Sequence, residues 1–330
     1  MKTRSHSQEL GIEKGGNRLA GWHARVRLLQ GTFLIAFALA SGAALAGPQD
    51  PCGQIAQQAA LSCAEGAQSD FALATGKCNN IADPTAKAAC QEQADADYKE
   101  AKSLCNGQNQ LRKGVCARLG SGTYEPVIDP ANFVATIDNP LFPLSPGTTF
   151  IYEGQTADGF EHVEFAVTHV TKVILGVTCI EVHDSRFLNG VLLEDTRDWF
   201  AQDKTGNVWY FGENTTLVDG GLPVDLHGTW TAGVDGAQPG FVMEAHPTVG
   251  DFYRQEFSLG NAEDQAEVKS LNASVTVPYG SFKNCLRTKE SSPLAPGDLE
   301  AKFYAPGVGN LLTIDKTTGE RSELVQITTE

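Results

Sequence analysis

The sequence predicts a mainly β fold, an antiparallel meander that forms an open barrel, half-barrel or sandwich, preceded by a small disulfide-stapled α-helical hairpin. Three observations support this prediction. Apolar and polar residues alternate with a period of two between Gly and Pro clusters in the second half of the chain. Residues 51–118 are instead rich in Ala, Gln, Asp and Lys, a composition typical of helices. The same segment carries six regularly spaced cysteines.

The first 46 residues have the pattern of a secretory signal peptide. Basic residues precede an apolar run from Thr32 to Ala46, and Ala44-Leu45-Ala46 fits a cleavage site. An apolar run of about 15 residues is too short to span a bilayer well. We therefore predict a periplasmic or secreted chain that begins at Gly47 and has no stable membrane span after cleavage.

The charge of the exported chain argues against nucleic acid as a partner. Six of the 25 basic and two of the 40 acidic residues lie in residues 1–46, which leaves 19 basic and 38 acidic residues, a net charge of −19. A surface of this sign repels phosphate backbones and anionic headgroups.

The cysteine spacing predicts a helical hairpin over residues 47–118. Successive cysteines are 11, 15, 12, 15 and 11 residues apart, an arrangement symmetric about Pro84. Asp83-Pro84 is typical of a helix start, and steps of 11 and 15 keep the cysteines on about one helix face. A metal site is the alternative, but C-x2-C spacing is absent and export disfavours it. We predict three nested disulfides, Cys78–Cys90, Cys63–Cys105 and Cys52–Cys116.

Two further features precede the β domain: glycines within the hairpin and a linker after it. Gly66 and Asn106-Gly107 predict a break in each helix of the hairpin. Residues 119–147 form a Gly/Pro-rich linker whose apolar side chains predict packing along the β domain.

Residues 148–330 form the predicted antiparallel β domain. Asp158-Gly159 and Asn189-Gly190 are two-residue hairpin signals, and Asp203–Asn207 is a third turn. About ten or more strands separated by such turns are typical of a barrel, half-barrel or sandwich.

Two motifs in this domain carry a family resemblance. They are V-P-Y-G-S-F-x-N-C, ending at Cys285, and F-Y-A-P-G-V-G, ending at Gly309. Both resemble motifs of a group of uncharacterised secreted bacterial proteins, which look related to the half-barrels of periplasmic lipoprotein carriers. The resemblance covers roughly residues 140–330, and it implies a fold more than an activity.

Two strands with a cysteine each suggest a further bridge and a polar patch. Cys179 shares a strand face with Glu181 and His183, and Cys285 shares one with Arg287. If the strands are neighbours, we expect a fourth disulfide, Cys179–Cys285. A stapled sheet with a solvated polar face is one interpretation, and a cavity lining is the other. The possible ligand pocket then comprises six residues, Trp199, Trp209, Phe211, Glu181, His183 and Arg287.

The sequence contains no catalytic, cofactor or metal motif that predicts a reaction. The acidic residues Asp195, Asp198 and Asp203 are the candidates for a hydrolase, but Asp195 and Asp198 point to opposite strand faces. The leading prediction is an exported non-catalytic binding protein that holds a lipid or hydrophobic small molecule in the β domain. The alternative is a cell-envelope interaction protein that docks through the hairpin.

Overall fold

The computed structural model describes residues 50–330, so the predicted signal peptide lies outside the described residues. The chain begins with two long helices, α1 (Pro51–Asn79) and α2 (Pro84–Leu119), which are followed by a short 3-10 helix (Pro130–Asn132). Sixteen strands follow within the described residues: β1 (Phe133–Val134), β2 (Thr148–Gln155), β3 (Phe160–Ile174), β4 (Val177–Leu188), β5 (Val191–Asp203), β6 (Val208–Asp219), β7 (Leu222–Asp225), β8 (Trp230–Thr231), β9 (Gln238–Met243), β10 (Phe252–Arg254), β11 (Glu256–Phe257), β12 (Gln265–Val277), β13 (Gly280–Ser291), β14 (Leu299–Ala305), β15 (Gly309–Asp315) and β16 (Arg321–Thr329).

The two helices form the predicted hairpin, here called the helical arm (residues 51–119). Asp50 caps α1 by accepting a hydrogen bond from Gly53 N at 2.8 Å, and Asp83 caps α2 through Ala86 N at 2.8 Å. The predicted nested disulfides are confirmed, with Cα–Cα distances of 5.7, 5.7 and 5.5 Å from the outermost to the innermost pair. Disulfides of this kind indicate an extracytoplasmic compartment.

The predicted helix breaks at Gly66 and Asn106-Gly107 were wrong, because both helices continue through these positions. A glycine inside a helix costs only about 1 kcal/mol relative to alanine, and cross-links on either side hold the backbones together. Gly107 also has a packing role. A Cβ at this position would lie 3.0 Å from Pro296 Cβ, so glycine lets α2 approach the β13–β14 loop.

Replacing Cys52 and Cys116 with Ser is expected to lower the free energy of unfolding by about 2–4 kcal/mol, because the outer bridge restricts the unfolded chain. Urea denaturation followed by far-ultraviolet circular dichroism measures the change. Reduction of the wild-type protein should lower stability at least as far. An unchanged denaturation midpoint in the double variant would show that this bridge contributes nothing.

The strands form one antiparallel sheet that curls into a nearly closed barrel. Its path is β10-β12-β13-β14-β15-β16-β2-β3-β4-β5-β6-β9-β11. The two ends of this path, β10 and β11, are consecutive segments of one stretch, residues 252–257, here called the closing strand. Its first half pairs with β12, as at Tyr253↔Ala266, and its second half pairs with β9, as at Glu256↔Pro239. The class predicted from the sequence is confirmed, and within it the barrel replaces the sandwich.

Close backbone contact at the closing strand requires a glycine. A Cβ on Gly240 of β9 would lie 2.3 Å from the Arg254 carbonyl oxygen. Only a residue without a side chain allows β9 to approach the closing strand this closely.

The base of α2 packs against the closing strand and β12. Arg112 and Glu263 form a bidentate ion pair, with Nη2–Oε1 at 2.7 Å, and both side chains are at most 6 % exposed. Arg118 pairs with Glu267 at 3.1 Å and stacks 3.8 Å from the ring centroid of Phe252. In the part of the chain that the structure describes, no helix combines the length and apolarity needed to cross a bilayer.

The core is divided between the two faces of the sheet. The larger cluster fills the barrel interior around residues such as Val182, Val268 and Leu324, all completely buried. A second group, here called the outer cluster, lies on the opposite face and includes Trp199, Phe211 and Trp230. Side chains of the linker, Ile128 and Phe133, cover the outer cluster. Apolar side chains therefore occupy both faces of β5 and β6.

The predicted Cys179–Cys285 disulfide was wrong, because both thiols are free and buried. Five strands separate β4 from β13 along the sheet, so the two cysteines are not neighbours. Cys179 packs in the outer cluster and Cys285 in the interior cluster, on opposite sides of the wall.

Candidate functional site

The barrel interior contains a partly open cavity of about 350 Å³, here called the inner cavity. This volume is in the range of small-molecule sites in proteins. Its lining combines aromatic rings with an unusual number of ionisable groups. The rings are Phe142, Phe150, Tyr152, Phe165, Phe200, Tyr210 and Tyr304; the ionisable groups are Asp184, Asp198, Glu213, Glu256, Asp264, Glu290 and Lys302.

A loop of the linker, residues 137–144, closes one end of the barrel. Asn139 Nδ2 donates to the carbonyl oxygens of Gly206 at 2.8 Å and Glu244 at 3.2 Å, and Gly307 N donates to Pro140 O at 2.7 Å. These bonds attach the loop to the β5–β6 turn, to the segment that follows β9 and to the β14–β15 turn. The loop places Phe142 in the cavity wall, where it contacts other aromatic rings.

The aromatic wall is ordered by ring contacts. Phe200 and Tyr210 stack with centroids 4.8 Å apart, and Phe142 meets Phe200 edge to face at 5.5 Å. Phe142 also contacts Phe165 at 6.4 Å. Such a set presents both ring faces and ring edges to a ligand.

One end of the carboxyl set is neutralised by Lys302. Its ammonium lies 2.9 Å from Glu290 Oε2, which also accepts from Gln255 at 3.2 Å. The other oxygen of Glu290 accepts hydrogen bonds from Thr288 at 2.8 Å and Tyr304 at 3.1 Å. Burial alone would raise the pKa of Glu290, but Lys302 and these donors bring it below its ordinary value. Glu290 therefore stays ionised.

The other carboxyls have no such cation. Burial, and then the nearby Glu194 carboxylate, raises the pKa of Asp184 to about 7. Burial also raises the pKa of Glu213 to about 7, although Thr215 donates to it at 2.8 Å. The pKa of Asp198 is raised well above its usual range by burial, despite a 2.5 Å hydrogen bond from the Tyr210 hydroxyl.

Glu256 is the most isolated of these groups. It is 6 % exposed, and its Oε2 has no hydrogen-bond partner among the described residues. Burial, with contributions from Asp264 and Glu213, raises its pKa well above the ordinary value. The Trp230 indole opposes this rise only in part, and its Nε1 also lacks a partner in hydrogen-bonding geometry. A buried polar atom without a partner is costly and indicates that a ligand or water completes the site.

The six predicted pocket residues do not line the inner cavity. Trp199 and Phe211 lie in the outer cluster, and Trp209 packs on Phe241 at 4.2 Å between centroids. Glu181 accepts from Trp199 Nε1 at 3.3 Å, so these two predicted residues do lie together. The six residues are Trp199, Trp209, Phe211, Glu181, His183 and Arg287, and the last of these is exposed.

The physical reason is the alternation of a strand whose two faces are both buried. On β5, Asp198 and Phe200 face the cavity, whereas Trp199 between them faces outward. Because the linker covers the outward face, hydrophobicity does not distinguish the two faces. The cavity residues that the sequence analysis missed share one signal. An acidic residue lies two positions from an aromatic residue, and therefore on the same strand face, as in Asp198-x-Phe200.

The three hydrolase candidates lie in different environments. Asp195 contacts His183 on the outer face, and Ser185 Oγ lies 3.0 Å from the same ring nitrogen, Nε2. A nucleophile and an orienting acid on one nitrogen cannot form a Ser-His-Asp relay, which uses both ring nitrogens. Asp203 accepts from Thr205 N, Asn207 N and Trp209 Nε1 and so stabilises a turn. Asp198 alone lines the inner cavity.

Among the residues that the structure describes, no group of three or more His, Cys, Asp or Glu side chains is placed to hold a metal ion. The six carboxyls that line the inner cavity are Asp184, Asp198, Glu213, Glu256, Asp264 and Glu290. Each comes from a different element: β4, β5, β6, β11, the residue before β12, and β13.

Comparisons with known proteins assign this chain to no family. No protein-family model matches the sequence, and no curated protein matches it. One solved structure, named "putative lipoprotein from Parabacteroides distasonis", is similar with a TM-score of 0.33 and 13% identity over 58% of this chain and 99% of that chain. Similarity at that level carries no argument about fold or function.

Proposed function

We propose that this chain is an extracytoplasmic, non-catalytic binding protein that holds a small molecule in the inner cavity. The single observation that supports the proposal most is the cavity itself, a volume of about 350 Å³ in the barrel interior that is lined by aromatic rings and carboxyls. The disulfide-bonded arm supports the extracytoplasmic location.

The lining favours one kind of ligand over another. A simple acyl chain would leave the Oε2 atom of Glu256 buried without a partner, which is unfavourable. A molecule that carries a polar group on an apolar body would satisfy both parts of the wall. A small amphiphilic ligand is therefore the best-supported form of the predicted hydrophobic ligand.

Native mass spectrometry of the protein purified without detergent is the first test. We expect a retained small-molecule mass in the wild type, reduced by about tenfold or more in Val163→Trp, because Val163 lines the cavity and a larger side chain would fill it. Val173→Trp is the matched control, since Val173 lies on the same strand and is 67% exposed. A bare chain in every preparation, and equal retention by both variants, would each count against the proposal.

The helical arm supports a second candidate function, docking to an envelope protein. Leu61, Leu73 and Leu104 are 48%, 62% and 43% exposed on the arm. The contacts described above between arm and barrel involve only residues 107–118 of α2. Crosslinking in the native envelope should lose its adduct in Leu73→Glu but not in Val173→Glu if this function is correct.

A further inference from the structure

The charge balance of the inner cavity is one-sided. Six carboxyls line the wall against a single ammonium group, that of Lys302. Lys302 is already engaged by Glu290 at 2.9 Å and Glu300 at 3.3 Å. Among the described residues, no ion pair includes Asp198, Glu213 or Glu256. The cavity therefore contains charge-bearing acceptors without a cation to match them.

The unpaired Oε2 of Glu256 identifies the place in the cavity where a positive group is missing. The side chain is more than nine-tenths buried, and it lines the cavity. In the ionised form this oxygen lacks a donor, and in the protonated form its hydroxyl lacks an acceptor. Asp198 lines the same cavity as Glu256, so both carboxyls face the space that a ligand would occupy.

The aromatic wall fits the same kind of ligand. Phe200 and Tyr210 stack beside Asp198, whose carboxyl accepts from the Tyr210 hydroxyl. Aromatic faces attract cations, most strongly where water is excluded, and their area also favours an apolar body. An anion would instead meet several carboxyls at short range.

We propose that the inner cavity binds a protonated amine with an apolar body. The ammonium group donates to Glu256 and Asp198, and the apolar body packs against Phe142, Phe200 and Tyr210. This inference rests on the proposed function and narrows its ligand to one chemical class. A primary or secondary amine is required, because donation to both carboxyls needs two N–H groups, whereas a protonated tertiary amine has one and a quaternary ammonium has none.

Three probes of similar shape and different charge test the proposal: 2-phenylethylamine, 2-phenylethanol and phenylacetate. Isothermal titration calorimetry on the purified protein near neutral pH measures each affinity. We expect the amine to bind at least about tenfold more tightly than the alcohol, and phenylacetate to show no binding up to about 10 mM. Equal affinities for amine and alcohol, or no amine binding, would overturn the proposal.

Glu256→Gln locates the ammonium group. It keeps the shape of the side chain but cannot ionise to pair with a bound ammonium, so we expect about a tenfold loss of amine affinity and an unchanged affinity for the alcohol. Glu164→Gln, an exposed change on β3, is the matched control and should alter neither. Unchanged amine affinity in Glu256→Gln would overturn the assignment, and wild-type circular dichroism would show that the variant is folded.

The outcomes of these experiments distinguish a failure of the amine proposal from a failure of the proposed binding function. If the alcohol or phenylacetate binds best and Val163→Trp abolishes that binding, the cavity is a ligand site but not an amine site. If none of the probes binds and native mass spectrometry finds no retained ligand, the proposed function fails as well.

Discussion

Arg112→Met is expected to lower the free energy of unfolding by about 3–5 kcal/mol. The change removes the Arg112 guanidinium, which makes a bidentate contact with Glu263 at the base of the helical arm, and Glu263 is 1 % exposed. A carboxylate left in this position keeps the hydrogen bond from Gly260 N at 2.8 Å but loses its bound cation. Urea denaturation followed by tryptophan fluorescence measures the loss, because Trp199, Trp209 and Trp230 all lie in the barrel.

A double variant separates charge from packing. Arg112→Met with Glu263→Gln removes both charges and keeps an acceptor for Gly260 N, so it should recover most of the loss. Arg118→Met is a second comparison, since its partner Glu267 is more exposed and the pair should contribute about 1 kcal/mol or less. If the single and double variants were equally unstable, the effect would come from lost packing, and the ion-pair argument would be wrong.

The free energy of unfolding is expected to fall as pH rises from about 5 to about 8, because the cavity carboxyls take up protons in the folded state. The pKa of Asp184 is about 7 in the fold against an ordinary value of 3.8, so the folded chain holds a proton that the unfolded chain has lost. Stability linked to a raised pKa is fully present below the unfolded value and is lost as pH rises through the folded value. Asp184 alone accounts for about 3–4 kcal/mol on this basis.

Asp184→Asn tests this dependence directly. The amide cannot ionise, so the variant should be more stable than the wild type at about pH 8 by about 2–4 kcal/mol and similar to it near pH 4. Glu290 acts in the opposite sense, since its pKa is lowered, but its contribution is lost only below its ordinary value of 4.5. Asp70→Asn, an exposed change on α1, is the control. A wild-type stability that does not change from pH 5 to pH 8 would show that these carboxyls are not protonated in the fold.

The sequence predicted the features that depend on contacts between residues near in the chain better than those that depend on contacts between distant residues. The arm is local: the helix period, the Asp83-Pro84 helix start and the symmetric cysteine spacing were enough to give all three bridges. The strand order of the β domain depends on contacts between residues distant in sequence. Alternation with a period of two identifies strands, but it does not show which distant strands pair. The predicted Cys179–Cys285 bridge required β4 and β13 to be neighbours, and strand order alone decided against it.

The site was harder to predict than the fold for a related reason. Strand alternation identifies two faces but not which one encloses a cavity, and here the linker buries the outward face of β5 through Ile128 and Phe133. The aromatic residues therefore pointed to the wrong face. The carboxyl of Glu256 comes from the closing strand, a stretch whose place in the sheet follows only from barrel closure.

The path of the sheet has a consequence for the order of folding. The barrel is joined through β2 and β16, whose pairing Thr148↔Thr329 unites residues near the two ends of the β domain. Contacts so distant in sequence slow folding, because the loop entropy is lost before the contacts form. The arm needs only the local contacts of residues 51–119, which precede the β domain in the chain. We expect it to oxidise while the barrel is still an open sheet, so that barrel closure is the late step of maturation.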